Sequence, residues 1–272
     1  MKAKHNWPIT ILIALGSLLI LVPLYITISI ALKNPQELAE SALSFPSNFH
    51  WENFTRAIET TNFFNALKNS AVITICTLVL TILSNAIVAY AIARNMHKKF
   101  FKGLYYYFVS ALFIPFPIIM LPIVKQTSAL GLNNSAGLIL LYVVYGMAMN
   151  IFLYVGYIRS IPIELEEAAT MDGASTWGVF WKIIFPVLTP INATVGILTC
   201  LWAWNDFLLP LVILSDSADS TLPLVQYVFQ TEFGTDYNLA FASYLMAMAP
   251  MIIVYLIAQK WIIGGVVKGS IK

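Results

Sequence analysis

Six long apolar runs divide this sequence, and each is close to the length that crosses a lipid bilayer. A membrane-spanning helix needs about 20 predominantly apolar residues. Only 10% of the residues are charged, whereas an average soluble domain has roughly 25%. The sequence therefore predicts an all-α integral membrane protein. The six predicted transmembrane helices lie at about residues 8–32, 71–93, 104–124, 136–158, 191–214 and 239–267.

The first apolar run follows the basic residues Lys2 and Lys4, an arrangement that also begins a secretory signal peptide. A signal core has about 7 to 15 apolar residues, and the run at residues 8–32 is longer. We therefore interpret it as the first membrane span. The small residues of Ser29-Ile30-Ala31 leave cleavage as the alternative.

The distribution of lysine and arginine predicts the orientation of the spans, because basic residues that flank spans stay in the cytoplasm. With the N-terminus inside, most of them fall on the cytoplasmic side: Lys2, Lys4, Arg94, Lys98, Lys99, Lys102, Arg159, Lys182, Lys260, Lys268 and Lys272. The outer side holds Lys33, Arg56, Lys68 and Lys125. Both the N- and C-termini are therefore predicted to be cytoplasmic.

The most informative connection is the cytoplasmic stretch at residues 159–190. Pro162 and the glutamates after it predict a short helix, since proline suits a first turn and the helix dipole favours acids there. Gly173 predicts a left-handed turn, and Ser175 predicts the N-cap of a second helix. An apolar stripe then follows at helical spacing, formed by Trp177, Phe180, Ile183 and Ile184. From the residues alone, this hairpin either docks on a cytoplasmic partner or packs against the chain's own bundle.

The residue spacing within this stretch resembles the EAA signature of permease subunits in bacterial ATP-binding-cassette (ABC) importers. Glu167-Ala168-Ala169 is followed after three residues by Gly173, and after nine more by Ile183-Ile184-Phe185-Pro186. Phe185 stands where the family usually has leucine. Further likeness lies at Asn69-Ser70, Ala89 to Arg94, Trp204-Asn205-Asp206 and the tail from Gly264 to Lys272. Within the family, the chain is similar to the shorter of the two permeases in maltose-type carbohydrate importers.

This resemblance implies the type I ABC importer permease fold, with residues 1–272 forming one transmembrane domain in the bacterial plasma membrane. It also implies three kinds of partner: a second homologous permease, a dimer of ATP-binding subunits that holds ATP and Mg, and an extracytoplasmic sugar-binding protein. The contact with an ATP-binding subunit would be made by the loop at residues 159–190, through Glu167, Ala168, Ala169, Met171, Asp172 and Gly173.

The sequence shows no nucleotide site, catalytic centre or metal centre of its own. A Walker-type glycine loop with lysine and serine or threonine is absent, so ATP hydrolysis is expected on a separate chain and no cofactor on this one. No nucleophile, base and orienting group stand together, and Cys and His form no ligand cluster. The net charge of +2 gives no basic field for nucleic acid.

Polar residues within the predicted spans are candidates for the substrate path. Asp206 is the clearest, because an ionisable group in lipid is costly and faces a cavity or a partner. It either lines the path with Trp204 and Asn205, or Asp206 and Asn205 cap or pair helices between the two permeases. Asn150 is a further candidate, and interhelical hydrogen bonding is its alternative, as for Asn85 and Asn192.

Two further features bear on the path. Pro115, Pro117 and Pro122 predict a bent or broken third span, and broken helices often border substrate sites. The outer segment at residues 215–238 resembles the family's substrate-releasing loop, and Gln226, Tyr227 and Gln230 are its candidate contacts with the binding protein.

Two other functional classes are weighed against the importer subunit. A secondary transporter driven by ion gradients needs coupling carboxylates in its spans, and Asp206 is the only clear one. An intramembrane enzyme needs paired catalytic groups, which the sequence does not show. The expected substrate is a disaccharide or oligosaccharide, and a monosaccharide or a glycerol phosphate is the alternative.

Overall fold

The computed structural model describes residues 7–231 and 234–270, so that the predicted cytoplasmic residues Lys2, Lys4 and Lys272 lie outside the described residues. The α-helices are α1 (Trp7–Ala31), α2 (Pro35–Glu40), α3 (Glu52–Thr61), α4 (Phe63–Arg94), α5 (Lys99–Ser110), α6 (Phe116–Ala129), α7 (Ser135–Ile158), α8 (Glu164–Met171), α9 (Thr176–Val179), α10 (Phe185–Val187), α11 (Thr189–Asn205), α12 (Leu208–Ile213), α13 (Leu222–Val225) and α14 (Tyr237–Ser270). Short 3-10 turns lie at Ala111–Phe113, Ser217–Asp219 and Gln226–Phe229, and a π-helical turn lies at Phe180–Ile184. The strands β1 (Gln230–Thr231) and β2 (Gly234–Thr235) pair antiparallel.

Four helices in the described residues are long and apolar enough to cross a membrane: α1, α4, α7 and the part of α14 up to Ile257. Two bent helix pairs pass the same test of length and composition, namely Lys99–Phe113 with α6 and Thr176–Val187 with α11. The number of candidate spans is therefore four, or up to six if each bent pair is one span. The mainly helical, membrane-spanning class predicted from the sequence is confirmed.

The third predicted span, at residues 104–124, is broken. Lys99–Phe113 and α6 are bent by 108°. Ile114 has an extended backbone, as expected for a residue before proline, and Pro115 is the extended N-cap of α6. Pro117 lies in the first turn of α6, where its missing N–H is tolerated. The break predicted for this span is confirmed at Pro115, whereas Pro122 lies inside α6, which continues through it.

The fifth predicted span, at residues 191–214, is also interrupted, which the sequence analysis did not predict. Helix α11 ends at Asn205, Asp206 is extended with a ψ of 130°, and α12 begins at Leu208. The Asp206 carboxylate accepts a hydrogen bond from the backbone N–H of Leu208 at 3.1 Å. This local side-chain bond gives the backbone an alternative to continuing the helix.

The chain forms two compact units. The first contains residues 1–64 and 225–250. In it, two asparagine side chains bind the carbonyls that end α1. The Asn53 amide donates to the carbonyls of Ala31 and Lys33, both at 2.9 Å, and the Asn238 amide donates to those of Ile30 at 3.0 Å and Lys33 at 2.8 Å. These bonds satisfy carbonyls that a helix leaves without an intrahelical partner.

The second unit contains residues 65–224 and 251–272. One apolar cluster joins α4 and α7 to the stretch around α9, with Ala89, Tyr154 and Phe180 among its buried members. A second cluster joins α4, α7 and α12 and includes Tyr142 and Leu209. The helices α4 and α7 therefore contribute to both clusters, and the candidate sites described below lie at these two places.

Candidate functional site

The EAA segment, defined as residues 159–190, folds as two short helices around a glycine turn. The backbone N–H groups of Glu166 and Glu167 donate to the Ile163 carbonyl, which begins α8. Gly173 has a φ of +85°, and the Ser175 hydroxyl accepts the N–H of Gly178 at 3.2 Å. The predicted turn and N-cap are confirmed.

One detail of that start is different. Pro162 precedes the N-cap residue Ile163 and so lies outside the first turn of α8, where the sequence analysis placed it. The acidic first turn itself is observed, with Glu164, Glu166 and Glu167. The glutamates therefore lie where the helix dipole favours negative charge, although the proline is outside the helix.

The two helices of the EAA segment differ in exposure. Val179, Phe180 and Ile184 are buried, whereas Leu165 and Met171 on α8 are 45% and 88% exposed. The second helix therefore packs against the chain, and the first presents an open surface. Packing against the chain's own bundle is therefore observed for the second helix, and docking of the first helix on a partner stays a prediction.

The apolar stripe predicted for the second helix is only partly buried. Trp177 is 61% exposed, while Phe180 and Ile184 are buried as expected. Val179 faces inward as well, and two helical residues turn the chain by roughly 200°. Trp177 therefore lies on the opposite face from Val179.

A buried ion pair joins α8 to the end of α4. The Nε of Arg94 donates to Oε1 of Glu166 at 2.6 Å, and the hydroxyl of Tyr90 donates to Oε2 of Glu166 at 2.7 Å. The side chains of Arg94 and Glu166 are only 16% and 10% exposed. Arg94 also donates through Nη2 to the Ile161 carbonyl at 3.2 Å. Both carboxylate oxygens are thus held by one turn of α4.

Aromatic packing joins the second helix of the segment to the same turn of α4. The ring of Phe180 lies 5.2 Å from that of Tyr90 and 4.9 Å from that of Trp181, centroid to centroid. Phe180 begins the π-helical turn, a feature found frequently at functional sites. Both helices of the EAA segment are therefore attached to α4, one through charge and one through an apolar contact.

Sequence reasoning missed this attachment. In the sequence, Tyr90 and Arg94 fall within the family likeness at Ala89 to Arg94, and Glu166 is one of three acids in a predicted first helical turn. The available signal was the spacing of Tyr90 and Arg94, four residues apart and so on one helix face. Their partner lies 72 residues beyond Arg94, and no local pattern identifies it.

The predicted path residues are not brought together in one wall. Trp204 is buried at 7% exposure, and the exposed Asn205 donates its amide to the Leu201 carbonyl at 2.7 Å. Asp206 accepts a hydrogen bond from the Tyr142 hydroxyl at 3.0 Å and borders a cavity. Asp206 thus bonds to α7 of its own chain and also lines a cavity, whereas Trp204 is not among the residues that line it. Pairing of helices between two permeases stays a prediction.

The asparagines within the helices behave in two ways. Asn192 accepts a hydrogen bond from the Tyr154 hydroxyl at 2.8 Å, which is the interhelical use considered for it. Asn150 is buried, and a Cβ added at Gly146 would meet its Nδ2 at 3.0 Å and that of Asn85 at 4.0 Å. Within the described part of the chain, neither of these two Nδ2 atoms has a hydrogen-bond partner.

The three residues predicted to contact a binding protein lie in the first unit. Gln226 donates its amide to the Ser243 carbonyl at 3.3 Å. Tyr227 is 54% exposed, and Gln230 is exposed in β1 opposite Thr235. Tyr227 and Gln230 therefore have accessible side chains, while Gln226 is bound to α14. Among the residues that the structure describes, no three His, Cys, Asp or Glu side chains group as metal ligands.

Comparison with known proteins places this chain in a family. Residues 85–268 match the model of the binding-protein-dependent transport system inner membrane component. The chain belongs to this family, so it is a membrane-embedded subunit of an ABC importer and a transport component, not an enzyme. The membership predicted from the EAA signature is confirmed.

Individual relatives match over nearly their whole length. The chain is 42% identical to the multiple sugar-binding transport system permease protein MsmG of Streptococcus mutans serotype c, over 100% of this chain and 98% of that protein. It is 33% identical to the melibiose/raffinose/stachyose import permease protein MelC of Bacillus subtilis, again over 100% of this chain and 98% of that protein.

A solved structure has the same fold. A chain from a bacterial ABC transporter involved in the import of the acidic polysaccharide alginate superimposes with a TM-score of 0.79. The match covers 96% of this chain and 98% of that one, at 20% sequence identity. An ABC importer permease therefore has the architecture described above.

Proposed function

We propose that this protein is one of the two permease subunits of an ATP-driven bacterial importer for a disaccharide or oligosaccharide. It forms half of the translocation path, receives sugar from an extracytoplasmic binding protein and couples to a cytoplasmic ATPase through the EAA segment. The family membership supports the importer class. The sugar class is supported by relatives named for multiple sugars, for melibiose, raffinose and stachyose, and for starch degradation products.

The two-sided EAA segment is the observation that carries the coupling proposal. Its inner side is attached to α4 through Arg94, Tyr90 and Glu166. Its outer side, with Leu165 and Met171, is an exposed apolar surface next to exposed acids. A surface of this kind receives force from a partner, and a rigid helix behind it passes the motion into the membrane.

The proposed topology has the six spans predicted from the sequence, with the broken third span counted as one and both termini in the cytoplasm. It rests on the bias of lysine and arginine toward one side, which places the EAA segment inside the cell. In this topology residues 159–190 lie on the cytoplasmic side of the bacterial plasma membrane, where the ATPase binds. ATP and Mg are bound by a dimer of partner subunits, and this chain carries no cofactor.

The test is a pull-down of the tagged chain from its native membrane in mild detergent, with identification of the co-purifying proteins. Wild type is expected to bring down a second permease and an ATPase. Gly173→Asp and Glu167→Ala are expected to lower the amount of ATPase at least about fivefold, since central interface residues carry much of the binding energy.

Two controls make this result specific. Glu164→Ala removes another exposed acid from the same first turn, and we expect ATPase recovery close to that of wild type. Gly173→Asn introduces a side chain of the same shape as aspartate but without its charge, and asparagine tolerates the left-handed backbone. Comparing it with Gly173→Asp therefore separates the effect of charge from that of turn geometry. If the chain purifies alone in every case and moves solute without ATP after reconstitution, the importer proposal fails and a secondary transporter replaces it.

A further inference from the structure

Two interrupted helices meet at one cavity of about 240 Å³ in the second unit. Its lining includes Phe116, which begins α6 after the break at Pro115, and Leu208, which begins α12 after the break at Asp206. In membrane transporters, discontinuous helices typically form substrate sites near the middle of the membrane.

The walls of the cavity are largely aromatic. The rings of Phe116 and Tyr145 lie edge to face, 6.0 Å apart. Trp202 is held by an edge-to-face contact with Tyr142 at 5.0 Å and keeps 40% of its surface exposed. These contacts orient the rings before any ligand arrives, as in preformed small-molecule sites.

The same cavity contains a carboxylate. Oδ2 of Asp206 accepts the Tyr142 hydroxyl at 3.0 Å, and Oδ1 accepts the Leu208 N–H at 3.1 Å. A carboxylate offers about four acceptor sites, and the backbone N–H groups of Leu209 and Phe207 also interact with this one. A charged group in a membrane helix is costly unless it faces a partner or an aqueous path.

A second polar group in the lining is the side-chain hydroxyl of Tyr145. The hydroxyl of Tyr145 is buried and, among the described residues, has no hydrogen-bond partner. An unpaired buried hydroxyl lowers stability, and a tyrosine would be replaced by phenylalanine at no loss if packing alone mattered. The cavity thus combines aromatic faces with one free donor and one carboxylate acceptor.

We propose that this cavity binds one ring of the sugar in transit, an inference that rests on the proposed function. A sugar ring has apolar C–H faces, which fit the indole of Trp202, and a rim of hydroxyls, which fit Asp206 and Tyr145. The volume is just below the roughly 300–1,000 Å³ of ordinary ligand pockets, so it suits one ring of a longer sugar. Trp202 and Tyr145 are then the contact residues, in place of the predicted Trp204 and Asn205.

The experiment uses the complete transporter in cells, with radiolabelled maltose, maltotriose, melibiose and raffinose as probes. Wild-type uptake is measured first, and the sugar taken up fastest is used for the variants. Tyr145→Phe is expected to lower kcat/KM for uptake about threefold to tenfold, the effect of one lost hydrogen bond. Trp202→Ala is expected to lower it at least about tenfold, since a large ring contact is removed.

Matched controls are Tyr106→Phe and Trp51→Ala, which alter rings that are 57% and 64% exposed elsewhere. Both are expected to leave uptake within about twofold of wild type, as surface substitutions usually do. The ATPase activity of the purified complex, stimulated by its binding protein, is measured in parallel. Tyr145→Phe is expected to keep the wild-type ATPase activity, and this result would exclude a defect of assembly.

The outcomes separate the two proposals. If wild type takes up none of the four sugars, the proposed sugar function fails. If wild type transports a sugar and Tyr145→Phe matches wild type, the cavity inference is overturned while the proposed function stands. Should Trp202→Ala prevent folding, Tyr145→Phe still decides, because it removes only an oxygen atom that bonds nothing in the described chain.

Discussion

The buried ion pair between Arg94 and Glu166 gives the sharpest stability prediction. Glu166→Ala removes the only acid bound to Arg94 in the described structure. The Arg94 side chain, which is 16% exposed in the wild-type protein, then has no acidic partner. Breaking a buried pair from one side destabilises by about 3–5 kcal/mol. We use about 3 kcal/mol, the lower end, because Arg94 keeps its bond to the Ile161 carbonyl.

Thermal unfolding of the detergent-solubilised protein, followed by intrinsic fluorescence, measures this effect. At about 2–4 °C per kcal/mol, the Tm is expected to fall by about 6–12 °C. The control Glu164→Ala, in the same helical turn but without an ion pair in the described structure, is expected to stay within about 0.5 kcal/mol of wild type.

A double-mutant cycle tests the assignment to this pair. Because each single variant leaves one charge unpaired, Arg94→Ala with Glu166→Ala is expected to be less destabilising than the sum of the singles. Additive effects, or a Glu166→Ala variant that melts within about 1 °C of the Glu164→Ala control, would refute the reasoning.

Two further predictions concern packing at helix ends. Gly137→Ala is expected to lower the Tm of the solubilised protein clearly, because an added Cβ would clash with the Leu132 carbonyl oxygen. Gly156→Ala in the same helix meets nothing within 4 Å and is expected to be neutral or stabilising. Asn238→Ala is expected to destabilise by about 1–3 kcal/mol in the same assay by removing two hydrogen bonds to buried carbonyls, while Ala at the exposed Asn48 serves as the control and is expected to change little. Equal Tm values within either pair would contradict these accounts.

Local signals in the sequence predicted much of the fold. The apolar runs at residues 8–32 and 136–158 lie within one residue of helices α1 and α7. Pro115 and Pro117 predicted a break because they restrict the backbone around them. Gly173 and Ser175 predicted a turn and a cap for similar reasons, since both act within a few residues of themselves.

Two of the three features that local signals missed depend on distant partners. The break at Asp206 depends on a side-chain bond to the next turn, and hydropathy alone does not separate such a break from a continuous span. The ion pair of Glu166 joins residues 72 positions apart. The cavity needs Phe116, Tyr145 and Trp202 from three helices, and each of these residues alone is ordinary for a membrane protein.

The capping of α1 has a consequence for how the protein is made. Asn53 emerges from the ribosome soon after α1, but the Asn238 amide that binds the Ile30 carbonyl lies 208 residues later. At roughly 5–20 residues per second, that delay is on the order of 10–40 s. During biosynthesis the C-terminal end of α1 is therefore completely capped only after α14 has been made, and a chain truncated before α14 leaves it incompletely capped.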